Sequence, residues 1–179
     1  MSKRLLRKKL ILLRKKKFKK FKNIYPKILN IIKYNDLNVK TIGAYYPINY
    51  EVDCLPVLKK LFEESFSISL PIIGKSNQMN FFNFSSDTLL KVNHMGIPEP
   101  VAKKIIYPDI LLVPLVGFDK NKFRLGYGGG YYDRYIEKVR KFKKFKTIGL
   151  SFSFQKVTGM PIDNFDKKLD FIITDKNTF

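Results

Sequence analysis

The 179-residue chain carries 35 lysine and arginine residues against 15 acidic residues, a formal net charge of +20. Hydrophobic residues make up 45% and aromatic residues 15%, which excludes a disordered chain and predicts one globular domain over residues 1–179. The apolar runs, such as Ile110 to Val113, are too short for a transmembrane helix, and the single cysteine, Cys54, excludes an internal disulfide and fits a reducing cytoplasm.

The positive charge is concentrated at the N-terminus. Twelve basic residues and no acidic residue fall within positions 1–22, leaving 23 basic against 15 acidic residues in the remainder. Such an excess favours anionic partners: nucleic acid, phosphates or polycarboxylates. A second interpretation is AT-rich codon usage, because lysine far outnumbers arginine and Asn, Ile, Phe and Tyr are plentiful. The charge alone therefore leaves the partner open.

The N-terminal half is predicted to alternate helices with strands. Residues 3–22 place Leu6, Leu10, Leu13 and Phe21 close to one helical face with lysines between them, which predicts an amphipathic basic helix. We further expect a second helix over 23–34, a buried strand over 39–47, a mostly helical segment over 52–65, strands over 66–73 and 79–84, and a capped helical turn over 85–93.

The C-terminal half begins with an irregular loop expected over 96–101. Residues 108–114 form a continuous apolar run of strand length, the best candidate for a central strand. A helix is expected over 131–142, and strands over 146–152 and 169–174. Strands that alternate with helices and are nearly continuously apolar predict an α/β fold, a three-layer αβα domain with a mostly parallel central sheet.

Four of the ten glycines fall within RLGYGGGYYD, residues 124–133. Glycine clusters occur where a backbone bends sharply or a ligand comes close, so N–H groups here could surround an anion near the start of the following helix. Arg124 and Arg134 flank the glycines, and a planar guanidinium suits phosphate or carboxylate. Asp133 could hold a Mg²⁺ ion that accompanies a nucleotide. The alternative is a tight turn with surface arginines.

Two standard phosphate-binding patterns are not met. GYGGGY has Tyr131 where G-x-G-x-x-G requires its third glycine, and SLPIIGKS has Ser69 where a P-loop requires its first. The segment from Gly74 to Ser76 is therefore expected to be an ordinary polar loop. A bound nucleotide would use a different backbone arrangement.

The segment PDILLVPLVGFDKNKFRLGYGGGYYDRYI resembles the signature of the 5-formyltetrahydrofolate cyclo-ligase family, also called methenyltetrahydrofolate synthetase. Further matches follow in order along nearly all the chain: KRLLR (3–7), YYPINYEVD (45–53), LP followed by MNFF (70–82), GIPEP (96–100), SFSFQ (151–155) and MPIDNFDKKLDFIIT (160–174).

The resemblance implies an ATP-dependent ligase that closes 5-formyltetrahydrofolate into 5,10-methenyltetrahydrofolate and releases ADP and phosphate. The formyl oxygen would be phosphorylated, N10 would attack, and phosphate would depart. No covalent enzyme nucleophile is needed, so Cys54 and His94 require no catalytic role. The resemblance further implies Mg²⁺ with ATP as co-substrate, a folate with or without a polyglutamate tail, and a cytoplasmic monomer.

On the ATP side, the resemblance implies that Arg124 is the catalytic residue, stabilising the charge of the transferring phosphoryl group. Asp133 and Asp166 match the metal positions, although Asp163 and Asp170 lie close enough to leave the second choice open. The implied ATP-binding residues are Lys3, Arg4, Leu5, Leu6, Arg7, Arg124, Leu125, Gly126, Tyr127, Gly128, Gly129, Gly130, Tyr131 and Tyr132.

On the folate side, Glu51 suits the aminopyrimidine edge of a pterin, which offers adjacent N–H donors. Without the resemblance, Glu51 would be interpreted as a solvated residue before a helix. Phe82 could add an apolar wall, although core packing explains it equally well. The implied substrate-binding residues are Tyr46, Glu51, Met79, Tyr127, Gly128, Gly129, Gly130 and Tyr131.

Two other functions remain open at the level of sequence. A basic nucleic-acid-binding or ribosome-associated protein would bind with a steep salt dependence and without ATP or folate. A related ATP-binding α/β enzyme acting on another small acid would bind ATP without consuming 5-formyltetrahydrofolate. The first alternative leaves the cluster of Arg, Gly, Tyr and Asp residues at 124–133 unexplained.

Overall fold

The structure is a computed structural model that describes residues 1–19, 21, 23–74 and 78–179. The helices are α1 (Lys3–Lys17), α2 (Ile24–Tyr34), α3 (Leu55–Glu63) and α4 (Tyr131–Arg140). The strands are β1 (Thr41–Gly43), β2 (Ser67–Ile73), β3 (Met79–Phe84), β4 (Leu90–Val92), β5 (Pro98–Pro100), β6 (Ile105–Ile106), β7 (Ile110–Pro114), β8 (Gly117–Phe118), β9 (Arg124–Leu125), β10 (Lys146–Leu150) and β11 (Phe171–Ile173).

A seven-stranded sheet forms the centre of the fold, in the order β11, β10, β7, β1, β2, β3, β6. The pairings from β11 to β2 are parallel, whereas β3 pairs antiparallel with both β2 and β6. Strand β7 has a parallel neighbour on each side, which fits its continuous apolar sequence and its prediction as a central strand. The predicted α/β class and mostly parallel sheet are confirmed.

Both faces of the sheet are covered, because successive residues of a strand point to opposite sides. In β7, Ile110 and Leu112 pack in one buried cluster with apolar residues of α2 and α3. Leu111 and Val113 pack in a second buried cluster with apolar residues of α4. Helices therefore lie on both sides of the sheet, which gives the three predicted layers.

Helix α1 packs through its apolar stripe against the C-terminal half of the chain. Leu6 and Leu10, four residues apart, form a third buried cluster with Val116, Leu125 and Met160. Lysines occupy much of the exposed remainder of the helix. The amphipathic pattern in the sequence thus predicted both the helix and its docked face.

The helix ends earlier than the predicted boundary at position 22. It stops at Lys17, and Phe18 has an extended backbone with φ −56° and ψ 132°. The Phe18 ring packs edge-on against Tyr50 and Phe152, at centroid distances of 5.7 and 6.3 Å. These contacts draw the chain away from the helix axis. Positions 20 and 22 lie outside the described residues.

Residues 85–101 differ from the expected helical turn and irregular loop. Strands β4 and β5 pair antiparallel here, and the chain reverses between them at Asn93, whose Oδ1 accepts hydrogen bonds from the N–H groups of Met95 and Ile97. The prediction was wrong because strands of three residues, one fully exposed and one flanked by prolines, lack the alternation that marks a strand.

Two further predictions concern the loop from Gly74 to Ser76 and the lack of a transmembrane helix. Of the polar loop expected from Gly74 to Ser76, only Gly74 lies within the described residues. Among the helices of the described ranges, none has the combination of length and hydropathy that crossing a membrane requires.

Candidate active site

A cavity of about 560 Å³, called the cleft below, opens at the carboxyl ends of β1, β2 and β7. Tyr45 follows β1, Ile73 ends β2 and Pro114 ends β7, and all three residues line the cavity. In open α/β sheets, ligands bind at this edge, and cavities of this volume hold small molecules.

The glycine segment, residues 126–130, connects β9 to α4 and lines the cleft along its whole length. Gly128 has a φ of +111°, which side-chain-bearing residues rarely adopt. A Cβ on Gly126 would lie 2.5 Å from Arg124 Nη1, and a Cβ on Gly128 would lie 3.5 Å from the Arg7 guanidinium. The missing side chain at Gly126 therefore lets the Arg124 guanidinium approach the backbone, whereas Gly128 is needed for its φ.

Lys3 and Arg7 lie one helical turn apart on α1, and both line the cleft. Arg7 Nε donates to the Gly126 carbonyl at 2.7 Å. Lys3 Nζ lies 2.5 Å from Asp166 Oδ2 and 2.7 Å from Asp163 Oδ2. Partial burial acts to lower the pKa of Lys3, but these hydrogen bonds outweigh it and the pKa is raised. The start of α1 thus brings two positive charges to the cleft.

The other three residues of the predicted N-terminal ATP segment do not line the cleft. Arg4 and Leu5 are exposed, and Leu6 is buried in the cluster with Leu10. With 3.6 residues per turn, a helix that presents positions 3 and 7 to the cleft directs these three side chains elsewhere. Their assignment as side-chain contacts is therefore not supported.

Arg124 is 7% exposed and is held between an acid and a ring. Its Nη2 donates to Asp133 Oδ2 at 2.6 Å, and its guanidinium carbon lies 5.5 Å from the centroid of the Tyr132 ring. Its Nε is buried and has no hydrogen-bond partner among the described residues. Because an unsatisfied buried donor is costly, an anion that reached Nε would be bound favourably.

The carboxylates of the cleft are too few to hold a metal ion alone, but they fit a metal ion that is also bound to a nucleotide. Asp133, Asp163 and Asp166 line the cleft, but the described part of the chain contains no group of three or more acidic, histidine or cysteine side chains able to hold a metal. Asp133 Oδ1 also accepts the Lys167 N–H at 3.1 Å. A nucleotide-bound Mg²⁺ needs only one or two carboxylates beside phosphates and waters, and this donor set meets that requirement.

Asp170, the third alternative for the second metal position, lies elsewhere. Its Oδ2 accepts hydrogen bonds from the Thr147 N–H at 2.8 Å and the Thr147 hydroxyl at 2.7 Å. It also pairs with Arg140 at 3.2 Å. Asp170 thus joins β10 to the segment before β11 and does not line the cleft.

Glu51 is a buried acid in the wall of the cleft, with 4% exposure. Its Oε2 accepts the Ile48 N–H at 2.8 Å, whereas its Oε1 is buried without a hydrogen-bond partner in the described part of the chain. Burial raises the pKa of Glu51 to about 7, against smaller lowering effects of the Ile48 N–H, Arg14 and Tyr127. Glu51 can thus accept hydrogen bonds from a ligand, at a position where its charge is poorly solvated.

Aromatic and apolar side chains complete the wall. Tyr46, Met79, Tyr131 and Tyr132 line the cleft as predicted, whereas Phe82 does not. Met79 is also buried in the cluster beneath α4, so it serves the core and the cleft together. The predicted ATP and folate residues are thus brought into one cavity, apart from Arg4, Leu5, Leu6 and the candidate wall residue Phe82.

Sequence reasoning missed the contribution of the β4–β5 hairpin. Met95, Ile97 and Glu99 line the cleft, and Glu99 is 3% exposed. Glu99 Oε1 accepts the Ile73 N–H and the Asn93 side-chain amide, each at 2.8 Å, which fixes the hairpin to the end of β2. The local sequence GIPEP gave no signal for this role, because both partners of Glu99 lie outside it.

Comparisons with known proteins agree in sequence and in fold. The chain matches the 5-formyltetrahydrofolate cyclo-ligase family over residues 1–175. A Haemophilus influenzae protein named 5-formyltetrahydrofolate cyclo-ligase is 32% identical over 148 residues, which cover 79% of this chain and 78% of the relative.

Two solved structures have the same fold. A 5,10-methenyltetrahydrofolate synthetase from Mycoplasma pneumoniae superposes with a TM-score of 0.76 at 28% identity, covering 98% of this chain and 99% of its own. A 5,10-methenyltetrahydrofolate synthetase from Aquifex aeolicus gives a TM-score of 0.75 at 30% identity, covering 99% and 92%. The similarity therefore includes the elements that build the cleft.

Proposed function

Because the chain belongs to the 5-formyltetrahydrofolate cyclo-ligase family, we propose that it closes 5-formyltetrahydrofolate into 5,10-methenyltetrahydrofolate with conversion of ATP to ADP and phosphate. The observation that carries the proposal is that one cavity is lined by Arg124 and the glycine segment and also by the buried acid Glu51, whose Oε1 has no hydrogen-bond partner among the described residues. These groups suit a polyphosphate and a pterin, respectively.

The reaction requires activation of a formamide, whose carbonyl is a poor electrophile and whose oxygen is a poor leaving group. Transfer of the γ-phosphoryl group to the formyl oxygen makes one P–O bond, breaks the bond to ADP and leaves an imidate-like phosphate. N10 then attacks the formyl carbon and loses its proton, and the C–O bond breaks as phosphate departs. Positioning and charge neutralisation supply most of the catalysis in phosphoryl transfer.

On the ATP side, Arg124 neutralises the charge of the transferring phosphoryl group, and the N–H groups of Gly128 to Gly130 hold its oxygens. The unsatisfied Arg124 Nε supports this role, because a phosphate oxygen would supply the missing acceptor. Lys3 and Arg7 add positive charge from α1. Arg124 also donates to Asp133, and Arg7 donates to the Gly126 carbonyl, so both guanidinium groups are held at the cleft.

On the folate side, Glu51 Oε1 accepts hydrogen bonds from the pterin N–H groups, and Tyr46, Met79 and Tyr131 pack against the ring system. The burial of Glu51 supports this role, because a buried carboxylate discriminates strongly between ligands that offer donors and ligands that do not. Orientation of the pterin sets the position of the formyl oxygen relative to Arg124.

We further propose that Mg²⁺ accompanies ATP and that Asp133 and Asp166 are its protein ligands, with Asp163 as the alternative to Asp166. A bound Mg²⁺ would neutralise phosphate charge. Asp133→Asn is expected to raise the Mg²⁺ concentration that gives half-maximal turnover, whereas Asp170→Asn is not. An unchanged Mg²⁺ dependence in Asp133→Asn would remove Asp133 from the metal site.

We also propose the domain organisation, the oligomeric state and the location of the protein from its membership of the family. A single domain over residues 1–179 acts as a cytoplasmic monomer, and it accepts its folate substrate with or without a polyglutamate tail. Sedimentation analysis tests the oligomeric state. The alternative of a nucleic-acid-binding protein is not favoured by the comparisons.

The decisive measurement is turnover by the purified protein. With Mg-ATP and 5-formyltetrahydrofolate we expect the methenyl chromophore to appear together with an equal amount of ADP. Omission of either substrate is the control, since ADP formed without folate would indicate an uncoupled ATPase. A well-folded protein that forms no methenyl product would contradict the proposed function.

ATP binding without folate consumption would instead favour the related enzyme that acts on another small acid. Calorimetric titrations with ATP and with 5-formyltetrahydrofolate separate these cases. If both ligands bind without turnover, the proposed binding site stands and only the proposed chemical step is contradicted.

A further inference from the structure

Arg14 is a buried cation outside the cleft, and neither the sequence pattern nor the proposed chemistry gives it a role. It follows Leu10 by one turn on the packed face of α1 and is 1% exposed. Among the described residues, no carboxylate oxygen lies within 4.0 Å of its guanidinium. Burial of a cation without an ion pair is costly and must be offset by hydrogen bonds.

The Arg14 guanidinium donates hydrogen bonds to three segments that are far apart in sequence. Nε donates to the Asn49 carbonyl at 2.9 Å, and Nη1 donates to the Leu115 carbonyl at 3.1 Å. Nη2 donates to the Tyr127 hydroxyl, and the guanidinium carbon lies 5.8 Å from the centroid of the Tyr127 ring. Arg14 thus joins the turn before Glu51, the end of β7 and the glycine segment.

The turn before Glu51 has a backbone that needs such support. Asn49 and Tyr50 both have positive φ, +48° and +62°, although neither is glycine. Two hydrogen bonds between Glu51 and Ile48 close the turn. The Glu51 N–H donates to the Ile48 carbonyl at 2.9 Å, and Glu51 Oε2 accepts the Ile48 N–H at 2.8 Å. Residues in this region of φ persist only where surrounding contacts hold them, and the Arg14 bond to the Asn49 carbonyl is such a contact.

We propose that Arg14 is a positioning residue for the folate half of the cleft, where its guanidinium fixes the Glu51 turn and the Tyr127 hydroxyl in one arrangement. Glu51 and Tyr127 both line the cleft, whereas Arg14 does not. Arg14 therefore acts through these two residues and touches neither substrate. This inference rests on the proposed function, since it assigns a determinant of folate binding to that site.

The charge of Arg14 acts on the same acid. It lowers the pKa of Glu51, opposing the larger raising effect of burial. Removal of this charge therefore moves the ionisation of Glu51 to higher pH. The other titratable groups that interact with Glu51 are Tyr127 of the glycine segment, Tyr45 after β1, Cys54 before α3 and Tyr132 of α4, and burial raises the pKa of each, so they stay neutral near pH 7.

Arg14→Met and Arg14→Lys test the proposal, with kcat and both KM values measured between about pH 5.5 and about pH 9. For Arg14→Met we expect the KM for 5-formyltetrahydrofolate to rise at least about tenfold, the KM for ATP to change little, and the acid limb of kcat/KM for folate to move to higher pH. Arg14→Lys keeps the charge, so its acid limb should stay near that of the wild type although folate binding weakens.

A second variant guards against loss of folding in Arg14→Met. Tyr127→Phe removes only the hydroxyl that accepts from Nη2, at a side chain that is 39% exposed, and should also raise the folate KM selectively. Lys15→Met is the matched control, because it removes an exposed charge from the next position of α1. The folate dissociation constant, measured by calorimetry, should follow the KM values.

A purely structural Arg14 would lower the use of ATP and folate equally and leave the acid limb in place. That result, or a folded Arg14→Met with the wild-type folate KM, would overturn the proposal while the proposed function stands. A wild-type protein that neither binds nor converts 5-formyltetrahydrofolate would overturn the proposed function and this proposal with it.

Discussion

Glu51 is an acid that folding places where its ionised form is disfavoured. Its raised pKa means that the folded chain holds a proton which the unfolded chain releases above the ordinary pKa of 4.5. The contribution of Glu51 to stability is therefore complete below pH 4.5 and is lost as the pH rises through about 7. The shift corresponds to roughly 3 kcal/mol, so the site keeps this acid at the expense of stability.

We expect Glu51→Gln to stabilise the fold relative to the wild type at about pH 8.5 and to have little effect at about pH 5. The amide remains neutral, and its oxygen can still accept the Ile48 N–H. Thermal unfolding at the two pH values measures the difference. Glu137→Gln, on the exposed side of α4, is the control and should show no such pH dependence. A pH-independent effect in Glu51→Gln would mean that burial does not raise its pKa.

Arg124 presents several N–H donors in one plane as well as a positive charge, so a lysine, which keeps only the charge, should not restore its function. We expect Arg124→Lys to lower kcat by about 10²- to 10³-fold, the cost of losing one preorganised donor to a transition state. Thermal stability should change little, because lysine can still pair with Asp133. Arg140→Lys, an exposed substitution on α4, is the control. Near-normal turnover of Arg124→Lys would show that the planar fork is not required.

Residues such as Arg124 were predictable, because an arginine beside four glycines is conspicuous in a chain dominated by lysine. Arg14 carried a weaker form of the same signal, one arginine within a run of basic residues, and its position four residues after Leu10 on the apolar stripe was the missing clue. The burial of Glu51 was not predictable from local sequence. The side chains that act on its ionisation, Arg14 of α1 and Tyr127 of the glycine segment, both lie far from it in sequence.

At the scale of elements, the glycine segment joins a short hairpin strand to α4 without side chains that would fill the space beside Arg7 and Arg124. A side chain at Gly128 would require an unfavourable φ, and its Cβ would lie in van der Waals contact with the Arg7 guanidinium, at 3.5 Å. At Gly128, the unusual backbone conformation and the nearness of the Arg7 guanidinium thus occur at the same position.

We expect Gly128→Ala to lose about 1 kcal/mol of stability and, in addition, to raise the KM for ATP several-fold. Gly159→Ala is the matched control, because Gly159 also has a positive φ of +67° but has nothing within 4 Å of an added Cβ and does not line the cleft. Both variants should unfold at slightly lower temperatures, but only Gly128→Ala should use ATP poorly. Equal ATP kinetics would contradict a phosphate role for this backbone.

The longer elements could be predicted because each buries a recognisable pattern of side chains. The continuous apolar run of β7 and the periodic stripes of α1 and α4 reflect what each element packs against. The β4–β5 hairpin was missed because it depends on polar contacts: Asn93 accepts and donates hydrogen bonds within the hairpin, and Glu99 accepts the N–H of Ile73, 26 positions earlier. Such polar contacts leave no periodic trace in sequence.

At the scale of the whole molecule, the net charge of +20 acts on two anionic substrates. We expect kcat/KM for ATP to fall several-fold as ionic strength rises from about 50 to about 300 mM, because screening shortens the range of attraction. The value of kcat should change less. Lys15→Gln with Lys16→Gln, at exposed positions of α1, should flatten the salt dependence without lowering kcat. A salt-independent kcat/KM would show that the charge has no part in substrate capture.

The docking of α1 has a consequence for how the enzyme is made. The helix is synthesised well before the segments that it binds, because Lys3 bonds to a residue 163 positions later and Arg7 to one 119 positions later. A nascent chain therefore carries its basic helix without this binding surface until residue 166 has been synthesised. An affinity tag fused ahead of Ser2 would end close in sequence to Lys3, a residue that lines the cleft.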